Sequence, residues 1–143
     1  PQMKHVLIVD DAATVRQYHR MILAGAGWQV AEASNGMEAL EKVMKQSAAE
    51  PFDLYVVDVN MPRMDGYSFV RELRRMAPPP PQAPVLMVST EAQARDATSG
   101  HEAGANSYLV KPVKSKELLL TAALLLGDRE VAEKAAAGLE ARP

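Results

Sequence analysis

Four charged side chains in this sequence stand at the ends of short apolar runs. Asp10 and Asp11 end "HVLIVDD", Asp58 lies near the end of "DLYVVDV", and Lys111 follows "SYLV". A buried strand has no need of a charge, so each of these side chains is expected where its strand leaves the core. Carboxylates that meet at such an edge repel one another unless a cation or protons relieve them. Their presence indicates an acidic cleft that could bind a cation.

These residue types favour phosphoryl chemistry. Oxygen ligands without sulfur or histidine suit Mg²⁺, which takes one or two carboxylates together with phosphate oxygens. A carboxylate is also a competent nucleophile that can form an aspartyl phosphate. Phosphoryl transfer mainly requires positioning and charge neutralisation, which Lys111 and the hydroxyl groups of Ser89 and Thr90 after "VLMV" would supply.

Each residue also has an ordinary structural explanation. An Asp-Asp pair is commonly a solvated turn, and Asp58 before "VNMPRMDG" has the setting of a cap or turn residue. Ser89 or Thr90 could cap the following helix, and Tyr108 could simply fill half-buried space in a sheet. The appearance of these groups at successive strand ends favours a shared site.

Apolar runs alternate with helical patterns along the chain. Strands are predicted at "HVLIVDD", "WQVAEA", "DLYVVDV", "VLMVS" and "SYLV", and helices from Ala12 to Gly25 and in "SNGMEALEKVMKQ", "GYSFVRELRRM", "EAQARDATSGHEAGA" and "SKELLLTAALLL". Runs that are apolar on both faces are typical of parallel strands covered by helices. The sequence therefore predicts an α/β fold with a parallel sheet and helices on both faces, with functional groups at the carboxyl ends of the strands.

Composition limits the class of protein. The 143 residues are 48% apolar and 24% charged, as expected for one globular domain. The net charge of −2 gives no general attraction for nucleic acid or an anionic membrane. The absence of cysteine excludes disulfides, thiolate zinc sites and a cysteine nucleophile. No run reaches membrane-spanning length and no signal-peptide core is present, so we expect a cytoplasmic protein without membrane insertion.

Two segments differ from the rest in composition. Residues 1–127 form the predicted domain, and residues 128–143 form a C-terminal extension rich in alanine and charge, either an added helix or a frayed end. A narrow stripe of Val131, Ala135 and Leu139 could dock this extension on the domain or on a partner. The segment "APPPPQAP" is expected to be a stiff, extended connector, because proline restricts its own and the preceding residue's backbone.

Four segments together resemble a known family. "VLIVDD", "DLYVVDVNMPRMDG", "VLMVSTEA" and "NSYLVKPV" are similar to the receiver domain of two-component response regulators, most closely the single-domain CheY type. The resemblance runs from about Lys4 to Leu126. It implies a flavodoxin-like, doubly wound sheet of five parallel strands in the order 2-1-3-4-5, with five helices.

The resemblance also implies a metal site and a phosphoacceptor. Asp58 would accept the phosphoryl group, and Asp11 and Asp58 would hold Mg²⁺ through their carboxylates, with Mn²⁺ as a substitute. Asp10 would contribute through water and Asn60 through its backbone carbonyl.

Further residues correspond to the phosphate contacts and the switch. Ser89 and Lys111 would meet the phosphoryl oxygens, with Thr90 beside them. Tyr108 matches the aromatic residue whose inward movement accompanies activation.

The lifetime of the phosphorylated state is expected to depend on side chains around the attacking water. Asn60 and Glu91 would flank its approach, both polar as in the fast-resetting chemotaxis members of the family, whereas Thr90 would narrow the path. We give the polar pair more weight and expect a short-lived signal. Alternatively, Glu91 only occupies the first turn of a helix, where a carboxylate suits the dipole.

The implied function is a phosphorylation-controlled switch rather than a turnover enzyme. A histidine kinase or phosphotransfer protein would modify Asp58, and the face formed by the helix over 91–104, the fifth strand and the last core helix would meet a downstream protein. A phosphatase of the haloacid dehalogenase type would need a second aspartate where Asn60 stands. The alternatives are a receiver fragment of a larger regulator whose output domain is absent, and a phosphate sink or relay. No direct binding of nucleic acid is expected.

Overall fold

The structure, a computed structural model, describes residues 3–46, 50–76, 83–90 and 104–140. In chain order its elements are β1 (His5–Val9), α1 (Ala13–Gly25), β2 (Gln29–Ala33), α2 (Gly36–Lys45), β3 (Leu54–Asp58), α3 (Gly66–Arg75), β4 (Val85–Ser89), β5 (Ser107–Val110), α4 (Ser115–Leu126) and α5 (Arg129–Glu140). Most of the predicted proline-rich connector, and the predicted helix over 91–104 except its last residue, lie outside the described residues. Glu91 lies there too.

The five strands form one parallel sheet in the order β2-β1-β3-β4-β5. Both the predicted α/β class and the predicted strand order are confirmed. Parallel strands need a crossover between them, and helices such as α1 and α2 fill the crossovers between the first three strands. This winding brings the carboxyl ends of all five strands to one edge of the sheet, called here the carboxyl edge.

Each strand contributes to two cores, because successive side chains point to opposite faces of a sheet. On one face, the strand residues Leu7, Val9, Tyr55, Val57, Val85 and Met87 pack against α2 and α3. On the other, Val6, Ile8, Leu54, Val56, Leu86 and Val88 pack against α1 and α4. The unbroken apolar runs in the sequence thus reflect burial on both faces, as predicted.

Two of the helices that lead away from the carboxyl edge, α2 and α3, begin at side-chain caps. Asn35 Oδ1 accepts a hydrogen bond of 2.9 Å from the backbone N–H of Glu38 at the start of α2. Asp65 Oδ1 accepts one of 2.8 Å from the backbone N–H of Ser68 at the start of α3. Such caps satisfy amide groups that have no partner within the helix. The "MDG" aspartate, Asp65, is therefore a helix cap.

The residues after Gly127 form a helix, α5, that packs on α4. Ala132 is buried in the same core as Trp28, and Ala135 is buried as well, while Val131 is partly buried against this core. Val131 and Ala135 of the predicted stripe therefore face this domain, and the side chain of Leu139 lies outside the described part. The boundary between residues 127 and 128 stays a prediction, although α5 shares the core of the α1 and α4 face.

Three hydrogen bonds hold the two ends of α5. At its start, Asp128 Oδ1 caps the backbone N–H of Val131 at 3.2 Å, and Asp128 Oδ2 accepts a 2.8 Å hydrogen bond from Trp28 Nε1. At its other end, Lys116 Nζ donates to the carbonyl of Gly138 at 3.2 Å. Lys116 lies in the first turn of α4, so α5 runs antiparallel to α4 and returns toward the carboxyl edge.

None of the helices in the described part of the chain is long and apolar enough to span a membrane.

We expect Asp128→Ala to lower the free energy of unfolding by about 1–2 kcal/mol, because it removes both a helix cap and the acceptor of a partly buried hydrogen bond. Urea unfolding followed by the fluorescence of Trp28, the one tryptophan, measures this change. In Asp128→Ser the serine hydroxyl can still cap the helix but is too short to reach Trp28. The stability of this variant should therefore lie between those of the wild type and Asp128→Ala. Equal stabilities of Asp128→Ala and the wild type would contradict this account of how α5 docks.

Candidate functional site

The polar groups predicted from strand ends meet at the carboxyl edge. Asp58 is the last residue of β3 and Ser89 the last of β4, whereas Asp10 directly follows β1 and Lys111 directly follows β5. Alternation along β3 places Asp58 on the face of Leu54 and Val56, toward α1 and α4. The predicted cleft is therefore formed by residues from separate strands.

Three carboxylates are close together in this cleft. Ligand oxygens of Asp10, Asp11 and Asp58 all lie within 4.8 Å of one another. Asp10 and Asp58 are only 2% and 4% exposed, whereas Asp11 is open to solvent. Hard oxygen ligands with access to water on one side suit a partly hydrated divalent cation. The group could therefore hold a metal ion.

Lys111 reaches into the same cleft from β5. Its Nζ lies 2.9 Å from Asp58 Oδ1 and 3.7 Å from Asp10 Oδ2. Burial alone would lower the pKa of the Lys111 ammonium, but the hydrogen bond to Asp58 and the charges of Asp10, Asp58 and Asp11 together raise it. Lys111 is therefore a cation at neutral pH and offsets part of the negative charge.

Asp58 remains an unfavourable place for a negative charge despite this partner. Burial raises the pKa of the Asp58 carboxyl above its ordinary value of 3.8, and the nearby Asp10 charge raises it further. The hydrogen bonds from Lys111 and from the backbone of Asn60 act in the opposite direction without cancelling the effect. The folded protein therefore holds an incompletely neutralised carboxylate that a cation would relieve.

A close backbone approach fixes the turn after Asp58. A Cβ atom on Gly66 would overlap the carbonyl oxygen of Asp58 and lie 2.8 Å from Met87 Cε. The backbone N–H of Gly66 also donates to the carbonyl of Val59 at 2.8 Å. Only glycine fits at the start of α3, because the helix lies directly against the backbone that carries Asp58.

The acidic turn after β1 is held by its neighbours. Asp10 Oδ1 accepts a 2.9 Å hydrogen bond from the backbone N–H of Ala12, and the N–H of Asp10 donates to the carbonyl of Ala33 at 3.1 Å. Arg16 Nη1 donates to the carbonyl of Asp10 at 2.6 Å. Sequence reasoning missed Arg16; an arginine one turn into a helix that follows an acidic strand end is the signal that could have indicated it.

The remaining predicted residues have different settings. The hydroxyl of Ser89 is fully buried and has no hydrogen-bond partner within the described ranges. A buried hydroxyl without a partner is costly, and a water or a bound polar group at this position would satisfy it. Thr90 and Asn60 are exposed at the carboxyl edge, and Tyr108 is partly buried against the core of α2 and α3. The functions assigned to all of these residues stay predictions.

Comparison with known sequences identifies related proteins. The response regulator receiver domain family matches residues 6–123. The transcriptional regulatory protein ResD of Bacillus subtilis (strain 168) is 32% identical over 121 residues, which are 85% of this chain and 47% of that protein. A probable transcriptional regulator, ycf27 of Pyropia yezoensis, is 38% identical over 117 residues, 82% of this chain and 45% of that protein. This chain thus spans about half the length of these relatives.

Solved structures with the same fold include shorter proteins. The chemotaxis protein CheY4 of Vibrio cholerae superposes with a TM-score of 0.78 at 38% identity, over 87% of this chain and 99% of that one. A putative response regulator of Chloroflexus aurantiacus J-10-fl superposes with a TM-score of 0.79 at 33% identity, over 88% and 99% of the two chains.

The raised pKa of Asp58 leads to a pH-dependent stability. The folded protein binds this proton more tightly than the unfolded chain does, so the wild type should lose stability as pH rises from below 3.8 through the raised pKa of Asp58. In EDTA at pH 7, Asp58→Asn should therefore melt higher than the wild type, and the difference should shrink at acidic pH. Melting curves of both proteins across this range measure it.

Glu41→Gln, which removes an exposed carboxylate on α2, serves as the control and should show no such difference. A wild type more stable than Asp58→Asn at neutral pH without metal would contradict the assigned strain at Asp58.

Proposed function

The chain belongs to the response regulator receiver domain family, as its sequence predicted, and we propose from this that it acts as the phosphoacceptor switch of a two-component system. A histidine kinase or a phosphotransfer protein donates a phosphoryl group to Asp58 in a Mg²⁺-dependent step. The observation that carries this proposal is the setting of Asp58, a buried carboxylate beside two further carboxylates and 2.9 Å from an ammonium.

The chemistry of Asp58 follows from that setting. A carboxylate oxygen attacks the phosphorus, the bond between phosphorus and the donor's imidazole nitrogen breaks, and the imidazole leaves as it gains a proton. Asp11 and Asp58 would hold Mg²⁺ through their carboxylates, Asp10 through water and Asn60 through its backbone carbonyl. Once bound, Mg²⁺, or Mn²⁺ in its place, neutralises charge on the phosphoryl oxygens.

Lys111 and Ser89 then connect the modification to a change of surface. In the unmodified protein Lys111 pairs directly with the Asp58 carboxylate, which phosphorylation converts to an acyl phosphate. The ammonium can follow the charge to a phosphoryl oxygen, and the buried Ser89 hydroxyl gains an acceptor. These contacts favour one of two existing arrangements, in which Tyr108 moves.

The residues at the carboxyl edge favour a switch that loses its own phosphoryl group over a phosphatase that turns over other substrates. Asn60 stands where a phosphatase of the aspartate type needs its second acid, and an amide cannot supply a proton. Asn60 is exposed, which supports a role in holding the water that hydrolyses the phosphoryl group. We propose a short-lived phosphorylated state tuned by Asn60, Thr90 and Glu91.

The proposed output is a contact with a downstream protein through β5 and α4, together with residues 91–104. Val110 in β5 and Leu124 in α4 are 43% and 65% exposed, although both are apolar. Such side chains suit a protein contact.

A second candidate, the receiver part of a longer transcriptional regulator, is favoured by ResD, of which this chain spans 47%. The reading frame of the complete gene distinguishes the two.

The first test of the proposal is labelling with acetyl phosphate. The wild type should incorporate acid-stable, base-labile phosphate when Mg²⁺ is present, and Asp58→Asn should incorporate none, because an amide is not a nucleophile. Asp53→Asn is the matched control, since Asp53 precedes β3 at the opposite edge of the sheet and should label as the wild type does. Equal labelling of Asp58→Asn and the wild type would remove Asp58 as the phosphoacceptor.

The second test separates modification from response. Lys111→Met should still bind beryllofluoride or accept phosphate, more slowly, but the amide signals of β5 should no longer shift in NMR spectra, because the charge that links Asp58 to this strand is gone. Lys114→Met, at an exposed lysine three residues further on, should respond as the wild type does. If modification moved the β5 amide signals of Lys111→Met as far as those of the wild type, this lysine would have no part in the switch.

A further inference from the structure

Arg16 connects three separate parts of the carboxyl edge. It lies on α1, its Nη1 donates to the carbonyl of Asp10 at 2.6 Å, and its Nε donates to Glu32 Oε1 on β2 at 3.1 Å. The side chain is only 18% exposed. A guanidinium group is planar and rigid, so two simultaneous contacts fix its position in a way that a single contact does not.

We propose that Arg16, anchored by Glu32, is a positioning residue that holds the Asp10–Asp11 turn in the geometry required for a divalent cation. This inference rests on the function proposed above. It assigns the affinity of the cation site partly to two side chains that are not ligands.

The contact with Asp10 acts on Asp11 through the peptide bond. The carbonyl of Asp10 and the amide of Asp11 belong to one planar unit, so holding the oxygen also sets the direction in which the chain enters Asp11. The carboxylate of Asp11 has no hydrogen bond or ion pair within the residues that the structure describes. Its position therefore depends on the backbone that Arg16 holds.

Asp10 has a second support that Asp11 lacks. Its carboxylate accepts the hydrogen bond from the backbone of Ala12, and Lys111 approaches from the other side. Loss of Arg16 should therefore disturb Asp11 more than Asp10.

Glu32 anchors the Arg16 side chain and is itself held by two further contacts. Its second carboxylate oxygen pairs with Arg20 Nη1 at 2.5 Å, and its backbone carbonyl accepts from Lys42 Nζ at 2.5 Å. Two arginines of α1 thus share one carboxylate. Arg20 is half exposed, and within the described residues its only polar partner is Glu32. Arg20 provides a control that removes the same kind of ion pair and leaves the acidic turn alone.

The experiment compares Arg16→Met with Arg20→Met. Residues that orient metal ligands typically change affinity by about 10–100-fold, so Arg16→Met should weaken Mg²⁺ binding by roughly tenfold or more, and Arg20→Met by less than about twofold. Titrations followed by calorimetry, and by the Mg²⁺-induced rise in melting temperature, measure affinity without reference to phosphorylation.

A kinetic measurement excludes a general loss of structure. When Arg16→Met is labelled with acetyl phosphate, the Mg²⁺ concentration that gives the half-maximal rate should be higher than for the wild type. The rate at saturating Mg²⁺ should equal that of the wild type. Urea unfolding in EDTA should give similar stabilities for the two methionine variants. Equal Mg²⁺ affinities of Arg16→Met and Arg20→Met, or a maximal rate that stays low at saturating Mg²⁺, would overturn the proposal.

Two milder variants keep the test decisive if Arg16→Met does not fold. Arg16→Lys keeps the charge but cannot hold Glu32 and the Asp10 carbonyl with one rigid fork, and Glu32→Gln keeps the shape but weakens the anchor. Both should bind Mg²⁺ more weakly than Arg20→Met, and affinities equal to that of Arg20→Met would again overturn the inference.

The wild type and Asp11→Ala separate this inference from the function on which it rests. A wild type that binds no Mg²⁺, or an Asp11→Ala variant that binds it equally well, would contradict the metal site itself. If both of these behave as expected, the Arg16 and Arg20 variants test the positioning alone.

Discussion

Repulsion among three carboxylates is the interaction around which the carboxyl edge is built. Their oxygens lie within 4.8 Å, and two of the side chains are almost completely buried. Such a group persists only if the surrounding structure holds it, since charges of the same sign would otherwise separate. The parallel sheet provides the holding strands, Gly66 lets α3 lie against the backbone of Asp58, and Lys111 supplies the opposing charge. The repulsion is only partly offset in the protein alone, and a cation held among these oxygens would relieve it.

The parts of this arrangement that were predictable depend on local patterns. Asp58 alone could have been a cap or turn residue, and it was identifiable because polar groups recur at the ends of successive strands; the strand alternation then places it in the cleft. The same reasoning identified Asp10 and Lys111, since parallel strands of one sheet end at a common edge. The strand order itself was implied by the resemblance to a family rather than by the pattern of residues.

The parts that were missed depend on contacts between distant segments. Arg16 and Glu32 are 16 residues apart, and Trp28 and Asp128 are 100 apart. Periodicity shows that a helix forms and which face is apolar, but it does not show which polar side chain of a neighbouring element that helix will meet. The stripe on α5 illustrates this limit: the pattern indicated a docking face, whereas Ala132 and the bond to Trp28 follow only from how α5 lies on α4.

The antiparallel pairing of α5 with α4 has a consequence for tethering. Without α5, the chain would leave the sheet at the end of α4, far from Asp58. The 12 residues of α5 span about 18 Å in the opposite direction, and Lys116 holds its far end beside the turn that follows Lys111. A peptide or dye attached to the last turn of α5 is therefore held toward the side of the sheet that carries the carboxyl edge. A group attached ahead of β1 begins at the opposite edge of the sheet, so the two ends of the described chain offer points of attachment at opposite edges.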